Sequence, residues 1–335
     1  MKAIKFFAIT AVAAAMFTSC SSEDELSQSN YPSDNIIRIT AGVNNAKTRA
    51  EGAGTPLENP LSLTVVNKND DATLAAKYTY VDKVFKKNDN VWTCSEDQPL
   101  LWQNSTQAVD IVAFAPAVDE NTFKNAYDGG FKSFTYSVAA NQSTKSDNND
   151  LLYNYTPDFV PGGTNLDKDG KLSIQMNHAF CMIDIIVTLG TEFNVDGIPS
   201  ASPITEVTLG GTIIDATVDV TSTTNKVTAS TTAAAKDITA TPGAFTKPEN
   251  DDKEKSCISN FSCITVPQNV AEKTFKVSLK TAGKRYEWTS DKEVELKSGY
   301  RYKLELTMGN NVVLLKDAIS ASPWGNGEGG SLETD

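Results

Sequence analysis

Two places in this chain carry residue types and spacing that suit covalent chemistry, and neither resembles a catalytic constellation. The first is Cys20, which follows the small residues Thr18 and Ser19 and could become an acylated mature N-terminus. The second is Lys47-Thr48-Arg49, basic residues in a polar linker, the setting in which proteases cut. Just before that linker, Ile37, Ile39, Ala41 and Val43 alternate with Ile36, Arg38, Thr40 and Gly42. This period of two among β-branched residues predicts a half-buried first strand. A strand joined to the rest by a cuttable loop belongs to the fold and is also removable from it. Its loss would let chains join.

Other chemistry is poorly supplied. The single histidine, His178, sits inside an apolar strand without a partnered nucleophile and reads as structural. Asn165 to Leu172, NLDKDGKL, has the start of a calcium loop but no downstream Glu. It reads better as a turn at Asp169-Gly170. The carboxylates are plentiful but scattered, which leaves a glycosidase pair unsupported. Trp92, Trp102 and Trp288 are expected to pack in cores; exposed, they would form a platform for stacking on sugars. The expectation is a non-enzymatic protein with no cofactor and no metal.

The address is written at the N-terminus. Lys2 and Lys5 precede an apolar run from Phe6 to Phe17, too short to span a bilayer but suited to an export signal over residues 1–19. Thr18-Ser19-Cys20 resembles a bacterial lipobox, with Phe17 where Leu is usual. Acyl chains on Cys20 would anchor the protein to a membrane. Residues 20–35 are polar and acidic and are expected to be a flexible, lipidated tether. Removing Lys2 and Lys5 with the signal takes the net charge from −12 to −14. An acidic surface of that size gives nucleic acid nothing to bind. Four further cysteines, Cys94, Cys181, Cys257 and Cys263, allow three full pairings, and the sequence chooses none. Cys181 reads as a small buried hydrophobe, and Cys257 and Cys263 are close enough along the chain for a local bridge.

With 335 residues the chain has room for two domains. Short alternating segments rich in Thr, Ser, Asn and Val, with few runs at helical spacing, predict an all-β fold. Leu172 to Leu189 is the informative stretch. Its apolar residues begin on even positions (Ile174, Met176) and end on odd ones (Ile183, Ile185, Val187), and such a shift flips the buried face. Eighteen extended residues would also reach about 60 Å, far beyond an ordinary strand. Two strands passing between two domains explain both features, which sets the expected domains at 36–178 and 179–335. Near the end, Val294 to Met308 alternates strongly, and Gly309-Asn310-Asn311 predicts a hairpin into Val312 to Leu315.

The export signal, ITAGVNNAKTRA, LLWQNSTQAVDIVAFAP, DLLYNY, MNHAFCMIDIIV, ELKSGYRYKLELTM and the closing ISASPWGNG, in that order, resemble the fimbrillin family of Bacteroidota pilus subunits and accessory proteins. The resemblance implies two tandem transthyretin-like β-sandwich domains and a surface-exposed lipoprotein of the outer membrane. It implies cleavage at Arg49–Ala50 by an arginine-specific protease, with loss of the strand holding Ile37, Ile39, Ala41 and Val43. A donor segment from another fimbrillin subunit would fill the vacated groove. In this chain that donor falls on Val312, Val313, Leu314, Leu315, Ile319 and Trp324. The implied partners are other subunits, the outer membrane and a host or bacterial surface ligand. The alternative is a monomeric surface lipoprotein that binds glycans or host ligands and never polymerises.

Overall fold

The computed structural model describes residues 29–44, 55–119, 121–144, 150–316 and 318–324, and it is nearly all β. The first half carries β1 (Ile39–Val43), β2 (Thr55–Pro56), β3 (Leu61–Asn67), β4 (Tyr80–Asn88) and β5 (Val91–Cys94). It continues with β6 (Val109–Ala115), β7 (Phe134–Ser137), β8 (Leu152–Phe159) and β9 (Leu172–His178). One short helix, α1 (Ala72–Lys77), interrupts it. The Asp71 side chain caps that helix by accepting the Thr73 and Leu74 backbone N–H groups. The helix was not evident in a segment with no apolar stripe, and none of its residues is buried.

The second half runs through β10 (Cys181–Leu189), β11 (Ile204–Gly210), β12 (Asp215–Val218), β13 (Val227–Ala229), β14 (Ile238–Thr239), β15 (Thr241–Thr246) and β16 (Ile258–Thr265). It ends with β17 (Gln268–Val270), β18 (Lys276–Thr281), β19 (Arg285–Thr289), β20 (Val294–Leu296), β21 (Tyr300–Met308), β22 (Val313–Leu315) and β23 (Ser320–Pro323).

Eight strands of the first half form one sheet in the order β2-β1-β9-β8-β6-β3-β4-β5. Its two ends approach each other, since β1 comes close to β5 and Ile36 bridges Leu101. The sheet thus wraps a first core that holds Leu63, Trp102, Ile111, Ile174 and Met176. The opposite face of its central strands, with Val112 and Phe114, joins a second core shared with the second half. Alternation along Val109–Ala115 produces this division, because side chains at successive positions leave the sheet on opposite sides. Lys86 to Asn90, KKNDN, has the composition of a hairpin turn, and it joins β4 to β5. Asp89 and Asn90 both take positive φ (47° and 70°), as a two-residue hairpin turn requires.

The long apolar stretch resolves into β9 and β10, with Ala179 and Phe180 fully buried between them. Leu172, Ile174 and Met176 enter the first core, whereas Cys181, Ile183, Ile185, Val187 and Leu189 enter the second. The change of parity is therefore a change of core. β10 lies in a different sheet, ordered β15-β16-β10-β21-β22, where β21 runs parallel to it. The halves also share pairing, because β7 of the first half pairs antiparallel with β12 of the second.

Two sequence expectations differ from the structure. Residues 30–35, read as the end of a tether, are held against the fold instead. Asn30 donates its backbone N–H to the Gly163 carbonyl (2.9 Å) and its side-chain N–H to the Leu166 carbonyl (3.0 Å), and Tyr31 packs against the first core. Cys257 and Cys263 do not bridge. The residues between them form an extended strand, which at ~3.3 Å per residue separates the two by about 20 Å. Both are free buried thiols, as is Cys181. Cys20 and residues 1–28 lie outside the described residues, and so do Arg49 and Ala50.

Candidate functional site

The strand expected to be removable is β1. β1 is the last strand but one of the eight-stranded sheet, bounded outward only by the two-residue β2. It runs parallel to β9 in the register Ile39–Leu172, Ala41–Ile174 and Val43–Met176. Ile37 and Ile39 are 4% and 3% exposed, and Ala41 and Val43 are half-buried against the same core. At about 1.5–3 kcal/mol for each large side chain buried, the two isoleucines contribute roughly 3–6 kcal/mol of apolar burial. Unpairing β1 would expose the β9 edge and open the first core to water.

Both ends of β1 are fastened by polar contacts. At the start, Arg38 forks onto Asp34, Nη1 to Oδ1 at 2.9 Å and Nη2 to Oδ2 at 2.6 Å. The Asp34 carboxylate also accepts the Ile36 N–H. The Arg38 guanidinium, first, and this backbone bond, second, hold the carboxyl at about 2, well below its ordinary value. At the end, Asn44 donates its backbone N–H to the Met176 carbonyl and its side-chain N–H to Asn177 Oδ1, both at 2.8 Å. The Asn44 contacts depend on which strand lies beside β1, so no local pattern announced them, whereas Asp34 and Arg38 are an i,i+4 pair within one segment.

The predicted donor segment lies at the edge of the second sheet. β22 pairs with the C-terminal part of β21 and β23 with its N-terminal part, so together they form one interrupted edge strand. Val313 is buried and Leu315 half-buried, while Val312 and Leu314 are 50% and 57% exposed. Ile319 and Trp324 pack in part against the second core. On the odd positions, Val313 and Leu315 form one apolar pair and Ile319 and Ala321 another, with Asp317 of the sequence between them. The hairpin tip is pinned: the Asn310 N–H reaches Glu192 Oε1 (2.9 Å), and Tyr286 Oη and Lys284 Nζ donate to the Asn310 carbonyl (both 3.0 Å).

The histidine read as structural is one member of a three-residue stack. Its Nδ1 lies 2.5 Å from Asp150 Oδ2, and its ring lies flat on Trp324, centroids 3.9 Å apart and planes within 2°. Burial pushes the Asp150 carboxyl up from its ordinary value, and the His178 contact opposes part of that rise. The other carboxylate oxygen is buried with no hydrogen-bond partner among the described residues. Aspartate at 150 and tryptophan at 324 are too far apart in sequence for any spacing rule to join them.

Two further expectations concern ligands. Trp102 and Trp92 are buried at 2% and 9% exposure, and Trp288 stands edge-on to Phe275, so these three form no sugar platform. The Asp167 carboxylate accepts the backbone N–H groups of Asp169 and Lys171, the arrangement of a turn. The outward face of the second sheet forms an open trough of about 670 Å³. Asp184, Asn260, Ser262, Arg301, Lys303 and Ser320 line it, with Arg301 forked onto Asp184.

Residues 48–324 match the model of a protein family described as fimbrillin-like. A candidate cell adhesion protein from Bacteroides ovatus superposes with a TM-score of 0.60 at 17% identity, over 86% of this chain and 97% of that one. A second candidate cell adhesion protein, from Bacteroides uniformis, gives 0.54 at 15% identity, covering 88% and 99%. A fimbrial protein from Bacteroides vulgatus gives 0.50 at 13% identity, covering 86% and 99%. These identities speak to the fold alone. No curated protein matches the sequence.

Proposed function

The chain belongs to the fimbrillin-like family, and from that premise we propose that it is a structural or accessory subunit of a cell-surface fimbria, assembled by exchange of β1 for a strand of another subunit. Family membership supports a fimbrial or adhesive role at the cell surface and a non-enzymatic one. The observation that carries the finer reading is the placement of β1: nearly at a sheet edge, parallel to β9, with its buried side chains closing the first core. The matched region begins at Thr48, beside the expected cut at Arg49–Ala50. Loss of β1 leaves an apolar groove and unpaired backbone along β9. A strand from a second copy restores both burial and hydrogen bonds by β-augmentation. Val313 with Leu315, and Ile319 with Ala321, supply two apolar pairs of the required period on either side of Asp317.

In the same reading, residues 1–19 are removed, Cys20 carries the acyl chains at the outer membrane, and two tandem domains meet near Ala179-Phe180. The N-terminal residue of protein recovered from surface fibres tests the scheme. Ala50 is expected there, and acylated Cys20 in assembled material would overturn it. Arg49→Ala is expected to abolish fibres, and normal polymerisation of that variant would sink the cleavage step.

The trough favours a second reading, a monomeric surface lipoprotein that binds a polar, uncharged ligand such as a glycan. The lining offers hydroxyls, an amide, an internally neutralised Asp184–Arg301 pair and Lys303, whose ammonium is paired with Glu305. Glycan binding by a chain that forms no fibres, abolished by Asn260→Ala, would select it.

A further inference from the structure

The segment Val312 to Trp324 can serve a second copy only after it leaves its own sheet, and one contact stands at the Trp324 end. β22 has three residues, β23 has four, and the exposed Val312 and Leu314 add nothing to the core. The turn at one end is pinned by Glu192, Lys284 and Tyr286. At the other end, Trp324 lies flat on His178 and donates its backbone N–H to the Gly299 carbonyl (2.7 Å). The seat beneath it is rigid. Asp150 holds the imidazole from behind, and Ser298 Oγ donates to the carbonyls of His178 and Ala179 (3.1 and 2.9 Å). The Gly299 N–H also bonds the Phe180 carbonyl (2.9 Å), so the loop that receives Trp324 is tied to the β9–β10 junction.

We propose that the stack of Trp324 on His178, backed by Asp150, is an autoinhibitory latch that keeps β22 and β23 seated on β21 of their own chain. This rests on the strand-donor reading above and names its control. An aromatic contact of this kind can slow local opening of a short edge strand severalfold, while adding little to the stability of the buried β10 and β16. The latch sits one residue beyond Asn177, whose side chain holds Asn44 at the end of β1. The removable first strand and this chain's own donor segment are therefore both held at one end of β9.

Residue-resolved hydrogen exchange of the full, uncut monomer tests the latch. In Trp324→Ala, amides of residues 313–324 are expected to exchange about fivefold faster or more, with Ile183 to Val187 unchanged. Trp324→Phe, which keeps a ring on the histidine, is expected to retain most of the protection. His178→Gln keeps a hydrogen-bonding side chain beside Asp150 but removes the ring, and should accelerate the same amides. Combining it with Trp324→Ala should add nothing further, because both changes remove one interaction. Unchanged exchange in Trp324→Ala, or equal acceleration throughout the sheet, would overturn the latch. Faster local exchange without faster fibre formation by the cut chain would keep the latch and overturn the donor reading.

Discussion

The Asn44 backbone N–H bonds the Met176 carbonyl at 2.8 Å, two residues before the histidine that carries Trp324. β9 is thus a meeting point. Along its length it pairs with the first strand, and at its end it seats the last described residue. Asn44→Pro would remove this N–H and the side-chain bond to Asn177 together. The expected result is faster hydrogen exchange at the β1 end of β9 in the uncut chain, by a factor of about 30, since each of the two net hydrogen bonds, at about 1 kcal/mol, represents roughly fivefold. The same substitution should leave the cut chain unaffected.

Burial of β1 predicts a stability difference between the whole chain and a chain lacking residues 1–49. Ile39→Ala in the uncut monomer is expected to cost about 2–4 kcal/mol, because Ile39 fills a closed core and leaves a cavity. After removal of residues 1–49 the position no longer exists, so cut material from wild type and variant should unfold alike. Urea titration of both forms makes the comparison. An uncut Ile39→Ala chain as stable as wild type would mean that β1 adds nothing to the first core.

The Asp34–Arg38 clip gives an acid signature. Arg38 lowers the Asp34 carboxyl from its ordinary value to about 2 in the folded chain. A lowered folded value means that the contribution is present above the unfolded value near 4 and is lost as pH falls toward 2. Carbon-detected NMR titration should place the Asp34 midpoint near 2, and Arg38→Gln should return it toward the ordinary range. Because both side chains are largely exposed, salt should weaken the effect.

The buried cysteines should be silent toward thiol reagents. Burial pushes Cys263 up to about 12 and raises Cys181 well above its usual value, so thiolate is scarce at pH 8. Native protein is expected to label at neither residue, with both labelling after denaturation. Mass spectrometry of alkylated peptides separates them. Prompt labelling of Cys263 in the native chain would show that β16 opens readily.

Local patterns in the chain were enough to determine its β character, a first strand within Ile36 to Val43 (formed over Ile39–Val43), the hairpins at Asp89-Asn90 and Asn310-Asn311, and the break inside Leu172 to Leu189. Each follows from side-chain period or turn chemistry, which act over a few residues. What lies beside each strand was decided only in three dimensions. Parallel pairing of β1 with β9, the joining of β7 to β12, the capture of residues 30–35 and the stack of Trp324 on His178 link positions roughly 80 to 150 apart in sequence. Contacts over such distances depend on how sheets curl and which edges they leave open. A period of two says that Ile39 is buried. It does not say that its neighbour is Leu172, because that pairing is made only when two segments far apart in the chain meet in one sheet.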